Sequence, residues 1–168
     1  MQDLIRDIPD FPQEGILFRD ITPLLQDPQG LKKAVDSMAE LLEGVDFDLI
    51  VGPESRGFIF GVPLAYKMNK GFIPVRKPRK LPFETICQGY DLEYGNNVLE
   101  IHVDAIKKGQ KVVIADDLLA TGGTTKAIID LIERLGGEVV EFICLIELEA
   151  LKGRELLKGV KIESLLKY

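Results

Sequence analysis

Apolar residues along this chain fall into two rhythms that alternate. Four runs are short and nearly continuous: FDLIVG at 47–52, FIPVRK at 72–77, KVVIAD at 111–116 and EVVEFICLIE at 138–147. A run that is apolar throughout, rather than on every second residue, suits a strand covered on both faces. Between these runs the period becomes helical. Leu31, Val35, Met38 and Leu42 repeat at helical spacing behind Asp27, which can cap, and Pro28, which fits a first helical position. FIFGVPLAYKMN at 58–69 predicts another helix, weakened by Gly61 and Pro63, and TKAIIDLIERLGG at 125–137 predicts a third. Strands that alternate with helices imply an α/β fold with a doubly wound, mainly parallel sheet flanked by helices. The 168 residues contain no repeat, low-complexity tract or linker, so one domain is expected over 1–168.

Two stretches depart from this alternation. The arm at about 1–26 contains PDFPQEGILFRDITPLLQDP, where Pro9, Pro12 and Pro23 forbid one continuous element. Its Phe11, Ile16, Leu17, Phe18, Ile21, Leu24 and Leu25 need cover from the body or from a partner subunit. The second departure is an insertion at about 78–104, with turn signals at Gly89 and at Gly95-Asn96-Asn97. Its halves, ETICQGYDLEYG and NVLEIHV, could form a hairpin, and Phe83, Ile86, Tyr90, Leu92 and Tyr94 argue against disorder. It reads as a small flap or hood over the carboxyl ends of the strands. One small sheet covers arm and flap poorly, which points to a homodimer.

Charge narrows the partners. Twenty-one basic against 27 acidic residues leave a net charge of −6, which opposes general affinity for nucleic acid or an anionic membrane. Cys87 and Cys144 form no CxxC pair and read as free thiols in a reducing compartment. No apolar run approaches a membrane span and MQDLIRDIPD lacks a signal-peptide pattern, so a cytoplasmic location is expected. His102 is the only histidine, reads as structural, and leaves no basis for a His-based metal site or a Ser-His-Asp triad.

The chemistry concentrates in VVIADDLLATGGTT, 112–125. Four apolar residues end in Asp116 and Asp117, and a loop follows before the third helix. Gly122 and Gly123 allow positive φ and close approach of a ligand. Ala120, Thr121, Gly122, Gly123, Thr124 and Thr125 then offer successive N–H donors and three hydroxyls at a helix N-terminus, an anion site that needs no lysine. Asp116 and Asp117 leave the strand end together; one can accept bonds from adjacent sugar hydroxyls or hold a metal through water. A cap with a tight turn would need one Thr or Asp, and would explain neither the double acid nor the double glycine. The pattern is neither GxxxxGK[ST] nor GxGxxG. A ribose phosphate at the carboxyl end of a buried strand is the ligand this order suits. Arg56, beside Gly52 and Gly57 after the first strand, favours anion binding over a turn ion pair. RKPRK at 76–80 holds four cations in five residues, and reads equally as a solvated basic turn or a ligand contact. Phe18 could stack on a purine or belong to the core.

VVIADDLLATGGTT resembles the phosphoribosyl diphosphate signature of the type I phosphoribosyltransferases. FPQEGILFRDITPLL, VGPESRGFIFG, VRKPRKLP and DLEYG are similar to the adenine-using branch of that family, and the likeness runs from about Pro9 to LKGRELL and SLLKY. Ala115 departs mildly, standing where a branched residue often precedes the acids. The resemblance implies transfer of the phosphoribosyl group from 5-phosphoribosyl 1-diphosphate to adenine, giving AMP and diphosphate, a purine salvage reaction. It implies that Ala120 to Thr125 bind the 5′-phosphate and that Asp116 and Asp117 lie beneath the ribose hydroxyls. Arg56 would bind the diphosphate, with Glu54 and Ser55 shaping the turn, and Arg76, Lys77 and Lys80 would meet it too, from their own or a neighbouring subunit. Leu17, Phe18, Arg19 and Leu148 would line the adenine pocket. Glu93 in the flap would be the acid–base residue, a role that the residue alone does not suggest, and Tyr94 beside it would join the diphosphate contacts. Mg²⁺ would be held mainly by diphosphate and ribose hydroxyls, with no side-chain ligand expected.

Two other readings carry less. A nucleic-acid-binding regulator of this fold would need a basic face or a helix-turn-helix segment, which net charge −6 and the absence of an added domain oppose. Relatives using 6-oxopurines tend to present a lysine near the last strand; here CLIELEALKG places Leu148 there and Lys152 comes late.

Overall fold

The computed structural model describes residues 1–92 and 95–168. The arm forms β1 (Arg6–Ile8), β2 (Phe18–Asp20) and α1 (Thr22–Gln26), with Pro23 placed in the first turn of α1 where its missing N–H costs nothing. α2 (Pro28–Leu41) follows; the Asp27 side chain accepts from Gly30 N–H at 2.9 Å, the cap that the sequence predicts. β3 (Leu49–Pro53), α3 (Arg56–Lys67) and β4 (Gly71–Val75) come next, with Pro63 inside α3. β5 (Thr85–Leu92) and β6 (Gly95–His102) pair antiparallel as the flap hairpin. β7 (Lys111–Leu119), α4 (Gly123–Arg134), β8 (Glu138–Glu147), α5 (Gly153–Leu156) and β9 (Lys161–Lys167) complete the described chain.

The central sheet has five parallel strands in the order β4-β3-β7-β8-β9. Alternate residues of each central strand enter opposite cores. Val51, Val112, Ile114, Phe142 and Cys144 pack toward α4 and the hairpin; Ile50, Val113, Ala115, Ile143 and Leu145 pack toward α1, α2 and α3. Burial on both faces is why these strands read as continuous apolar runs. Ala115 is fully buried on the α3 side.

Three expectations need correction. The sheet has a fifth strand, β9, an edge strand whose half-buried KIESLLK carries no such run. β7 does not end at the acids: Leu118 and Leu119 go on pairing with Ile146 and Glu147 of β8, so Asp116 and Asp117 lie within the strand. α4 begins at Gly123, two residues before the expected start.

Chain order turns back between β3 and β7: β3 is followed by β4 on one side, and β7 by β8 on the other. Their connecting helices, α3 and α4, lie on opposite faces, and the crevice between the two strands' carboxyl ends is where such sheets bind ligands. The hairpin packs on α4, where Arg134 donates to Cys87 O at 2.7 Å, and the backbones of Arg76 and Glu100 exchange hydrogen bonds of 3.0 and 2.7 Å.

Candidate functional site

At this crevice lies a cavity of about 230 Å³. Glu54, Ser55, Arg56, Lys77, Asp116, Asp117 and the whole of Ala120–Thr125 line it, joined by Tyr90 and Leu99 of the hairpin. The last two received no site role from the sequence; their apolar pattern signals a packed hairpin, not what it packs over. Gly122 stands at φ +86° as the N-cap of α4, and a Cβ there would meet Gly153 O at 2.8 Å, so only glycine fits. The first-turn amides of Gly123, Thr124 and Thr125 therefore have no partners within the helix, and they border the cavity.

Strand alternation turns Asp117 toward α3, where Arg56 Nε lies 3.0 Å from Asp117 Oδ2. Asp116 Oδ1 accepts the Asp117 N–H at 2.8 Å. Both carboxylates are buried, at 9% and 4% exposure. Burial, and then the Asp117 charge, pushes the Asp116 carboxyl well above the usual carboxylate range. Burial also raises Asp117, and the Arg56 cation opposes it. The cavity floor is thus a pair of buried adjacent acids, one of them paired with arginine.

The basic cluster divides. Arg76 Nε and Lys80 Nζ each approach Glu54 at 2.6 Å, and that carboxylate is 6% exposed. Burial alone would raise the Glu54 carboxyl, but Lys80 and Arg76 together hold it below its ordinary value. Arg79 N–H donates to Glu100 Oε2 at 3.1 Å. Lys77 lines the cavity and has no ion-pair partner among the described residues. Glu54 therefore faces two cations as well as shaping a turn.

A second cavity of about 380 Å³ adjoins through Arg56, which lines both. Its walls include Ile8, Phe11, Phe18, Ile21 and Leu25. Phe11 and Phe18 pack edge to face at 5.1 Å, and Arg56 Cζ stands 5.7 Å from the Phe18 ring. The Arg19 guanidinium lies 4.0 Å over the Tyr168 ring and pairs with Asp7, so its side chain is engaged elsewhere. Leu17 is 45% exposed and does not line this cavity; Leu148 is half-buried on the α1–α3 side of the sheet. Glu93 and Tyr94 lie outside the described residues.

Asp20 closes one edge of the second cavity. Thr22 Oγ1 and N donate to its Oδ1 at 2.5 and 2.9 Å, and Arg6 Nη2 to its Oδ2 at 2.6 Å. The two Thr22 bonds and then Arg6 lower its pKa to about 2. A carboxyl depressed in the folded state adds stability that is complete above its ordinary pKa, and is lost as pH falls through about 2. Asp20→Asn is accordingly expected to melt earlier than the parent at pH 7, with the gap narrowing as pH falls below about 4, as pH-resolved melting would register.

His102 Nε2 accepts the Phe83 N–H at 3.3 Å and its ring meets Phe83 edge to face, a structural role. Cys144 is buried and Cys87 exposed, both free. Among the described residues no group of three metal-ligating side chains assembles, and no helix is long and apolar enough to cross a membrane.

Known proteins match this arrangement along its length. The phosphoribosyl transferase domain family matches residues 21–163. An adenine phosphoribosyltransferase from Lachnoclostridium phytofermentans is 62% identical over 168 residues, spanning 100% of this chain and 97% of its own. The enzyme of that name from Thermoanaerobacter pseudethanolicus has a crystal structure 55% identical to this chain, superimposing with a TM-score of 0.97 over 99% of this chain and 96% of its own. The adenine phosphoribosyltransferase of Saccharomyces cerevisiae, solved with D-2,5-dideoxy-2,5-imino-altritol 1,6-bisphosphate and adenine, is 41% identical with a TM-score of 0.91, over 97% of this chain and 94% of its own.

Proposed function

Since this chain belongs to the phosphoribosyl transferase domain family, we propose that it transfers the 5-phosphoribosyl group of 5-phosphoribosyl 1-diphosphate to adenine, releasing AMP and diphosphate in purine salvage. One observation carries the reading. Loop amides, a buried acid pair and a guanidinium converge in one cavity at the sheet's switch point, and the same guanidinium opens onto an aromatic-walled pocket. Residues 1–168 act as one phosphoribosyltransferase unit in this reading.

The 5′-phosphate sits on the Ala120–Thr125 amides, and the ribose hydroxyls meet Asp116 and Asp117. Breaking the anomeric C–O bond builds positive charge on the sugar and negative charge on diphosphate. The Asp117 carboxylate stabilises the first charge; Arg56 and Lys77 stabilise the second. Arg56 pairs with Asp117 through Nε, and its guanidinium has further N–H groups for diphosphate, so the same side chain serves both. Arg76 and Lys80 keep the basic turn in place through Glu54 and are available to diphosphate only at the expense of that carboxylate. Magnesium would arrive with the donor and would take most of its ligands from phosphate, diol and water. When bound it would supply positive charge toward the leaving diphosphate.

Adenine enters beside Phe18, which walls the pocket; Leu17, Leu148 and the Arg19 backbone, outside that wall, are its further proposed contacts. Glu93 holds or passes the purine ring proton. Glu93→Ala should slow turnover with donor binding retained, as kcat and donor affinity measured together would register. Loss of donor binding would move Glu93 to another role.

The assembly we propose is a homodimer: Phe11, Leu17, Val62 and Tyr66 leave large apolar surface uncovered, Tyr66 at 89% exposure. Sedimentation at micromolar concentration should show a dimer, and only monomer would overturn this. Unpaired Cys87 and Cys144 support a cytoplasmic setting. The reaction is tested by incubating the protein with magnesium, the donor and a panel of bases and identifying the nucleotide. AMP from adenine is expected; a 6-oxopurine nucleotide formed in preference would overturn the choice of base.

A further inference from the structure

Residues 151–157, LKGRELL, pack directly behind the loop that meets the 5′-phosphate. Lys152 turns the chain in a left-handed conformation at φ +53°, and α5 starts at Gly153. A Cβ at Gly153 would lie 2.3 Å from Ala120 O and 2.9 Å from Leu119 Cδ1, while one at Gly122 would lie 2.8 Å from Gly153 O. The two backbones touch with no side chain between them.

Gly153 is held from the far side by its neighbour. Arg154 grips Glu147 with two charge-assisted bonds, Nε to Oε1 at 2.5 Å and Nη2 to Oε2 at 2.7 Å, and Nη1 donates to Ile162 O at 3.0 Å. Ser164 Oγ donates to Glu147 Oε2 at 2.7 Å. Glu147 is 4% exposed and pairs in register with Leu119, and Leu148 N donates to Leu119 O at 2.9 Å. The circuit closes: the end of β8 fixes Leu119 and Arg154, Arg154 fixes Gly153, and Gly153 abuts Ala120 and Gly122. A loop of alanine, threonine and glycine has little side-chain packing of its own, and its amides must stand at hydrogen-bond distance from the anion.

We infer that Gly153, held by the Arg154–Glu147–Ser164 network, is a positioning residue that sets the height of the 120–125 loop against the donor's 5′-phosphate. This rests on the phosphoribosyl transfer proposed above. A methyl at 153 has to part Gly153 and the Ala120 carbonyl by about 1 Å, since carbon–oxygen contacts lie at ~3.3 Å, and Gly153 is tethered on its own side by Arg154. Displacement on that scale degrades phosphate recognition without touching the adenine pocket on the other side of Arg56.

The test compares Gly153→Ala, Arg154→Met and Arg154→Lys in the full chain with magnesium, measuring kcat, KM for donor and adenine, AMP affinity by calorimetry, and melting temperature. Gly153→Ala should raise donor KM and AMP Kd about tenfold, with adenine KM changed by less than about twofold. Arg154→Met should act in the same direction, and Arg154→Lys should recover part of the loss, because lysine can keep one bond to Glu147. A folded Gly153→Ala with unchanged donor KM overturns the inference. So does an equal loss in kcat and both KM values across the set in step with melting temperature, the mark of a merely structural tie. If Gly153→Ala does not fold, the Arg154 pair decides: unchanged donor KM in Arg154→Met overturns it. A parent protein that binds neither donor nor AMP would instead refute the proposed function.

Discussion

Arg56→Ala is expected to lower kcat/KM about 10²- to 10³-fold while the protein stays folded. The side chain is 40% exposed at the first residue of α3, so its loss opens no hole in either core. Two effects combine. The leaving diphosphate loses a cation where charge develops. Asp117, 6% exposed at its side chain, loses the cation that most opposes its desolvation, and its carboxyl rises further. An Asp117 that holds its proton more readily offers less negative charge to the sugar as it turns cationic. Asp117→Asn imposes that second effect alone and should also abolish most activity without unfolding. Because the pair acts as a unit, the double variant should lose less than the product of the single losses. Steady-state kinetics on the four proteins, with circular dichroism to confirm folding, decides the matter. Full turnover in Arg56→Ala, or in Asp117→Asn, would remove the leaving-group or sugar role respectively.

What the sequence made legible follows from how burial writes itself into residue order. Strands covered on both faces must be apolar throughout, so β3, β7 and β8 were plain as FDLIVG, KVVIAD and EVVEFICLIE. β9 was not, because an edge strand half open to solvent carries Lys161, Glu163 and Ser164 among its apolar residues. The acids misled on the end of β7 for a related reason. Two adjacent aspartates look like a terminus, yet β8 supplies paired backbone on to Leu119. The buried acid pair is itself the departure from strand composition that exposes the site.

Ion pairs across the sheet were hidden because they depend on register. Glu54 follows β3 and Arg76 follows β4, and the parallel pairing of Pro53 with Val75 brings them together from 22 residues apart. Two predicted parallel neighbours, each followed by a residue of opposite charge, were a signal available before the structure. Phe18 and Arg19 show the same limit on a smaller scale. Strand alternation sends successive side chains to opposite faces, so the phenylalanine reaches the second cavity and the arginine reaches Tyr168. Nothing in the residues 151–157 alone indicates that Gly153 meets Ala120; that contact exists only because β8 returns the chain beside Leu119.

Val113→Asp should unfold the protein, the largest stability change expected from a single substitution here. Val113 is 0% exposed in the middle of β7 and faces the core formed with α1, α2 and α3. An aspartate there forfeits about 1.5–3 kcal/mol of apolar burial. It also places a carboxylate among apolar groups such as Ile50, Ile143 and Leu145. Breaking a core in this way costs about 4–5 kcal/mol or more in total, set against a typical stability of roughly 5–15 kcal/mol. Val113→Ala, which only opens a cavity, should cost about 2 kcal/mol and remain folded. The two differ in pH dependence. A buried aspartate has a folded-state pKa raised above its unfolded value, so its penalty shrinks as pH falls and the carboxyl takes up a proton. The stability gap between Val113→Asp and Val113→Ala should therefore narrow from pH 7 toward about pH 4, measured by urea unfolding of any folded fraction. A Val113→Asp protein that melts with the parent at pH 7 would mean that β7 is not the centre of the sheet.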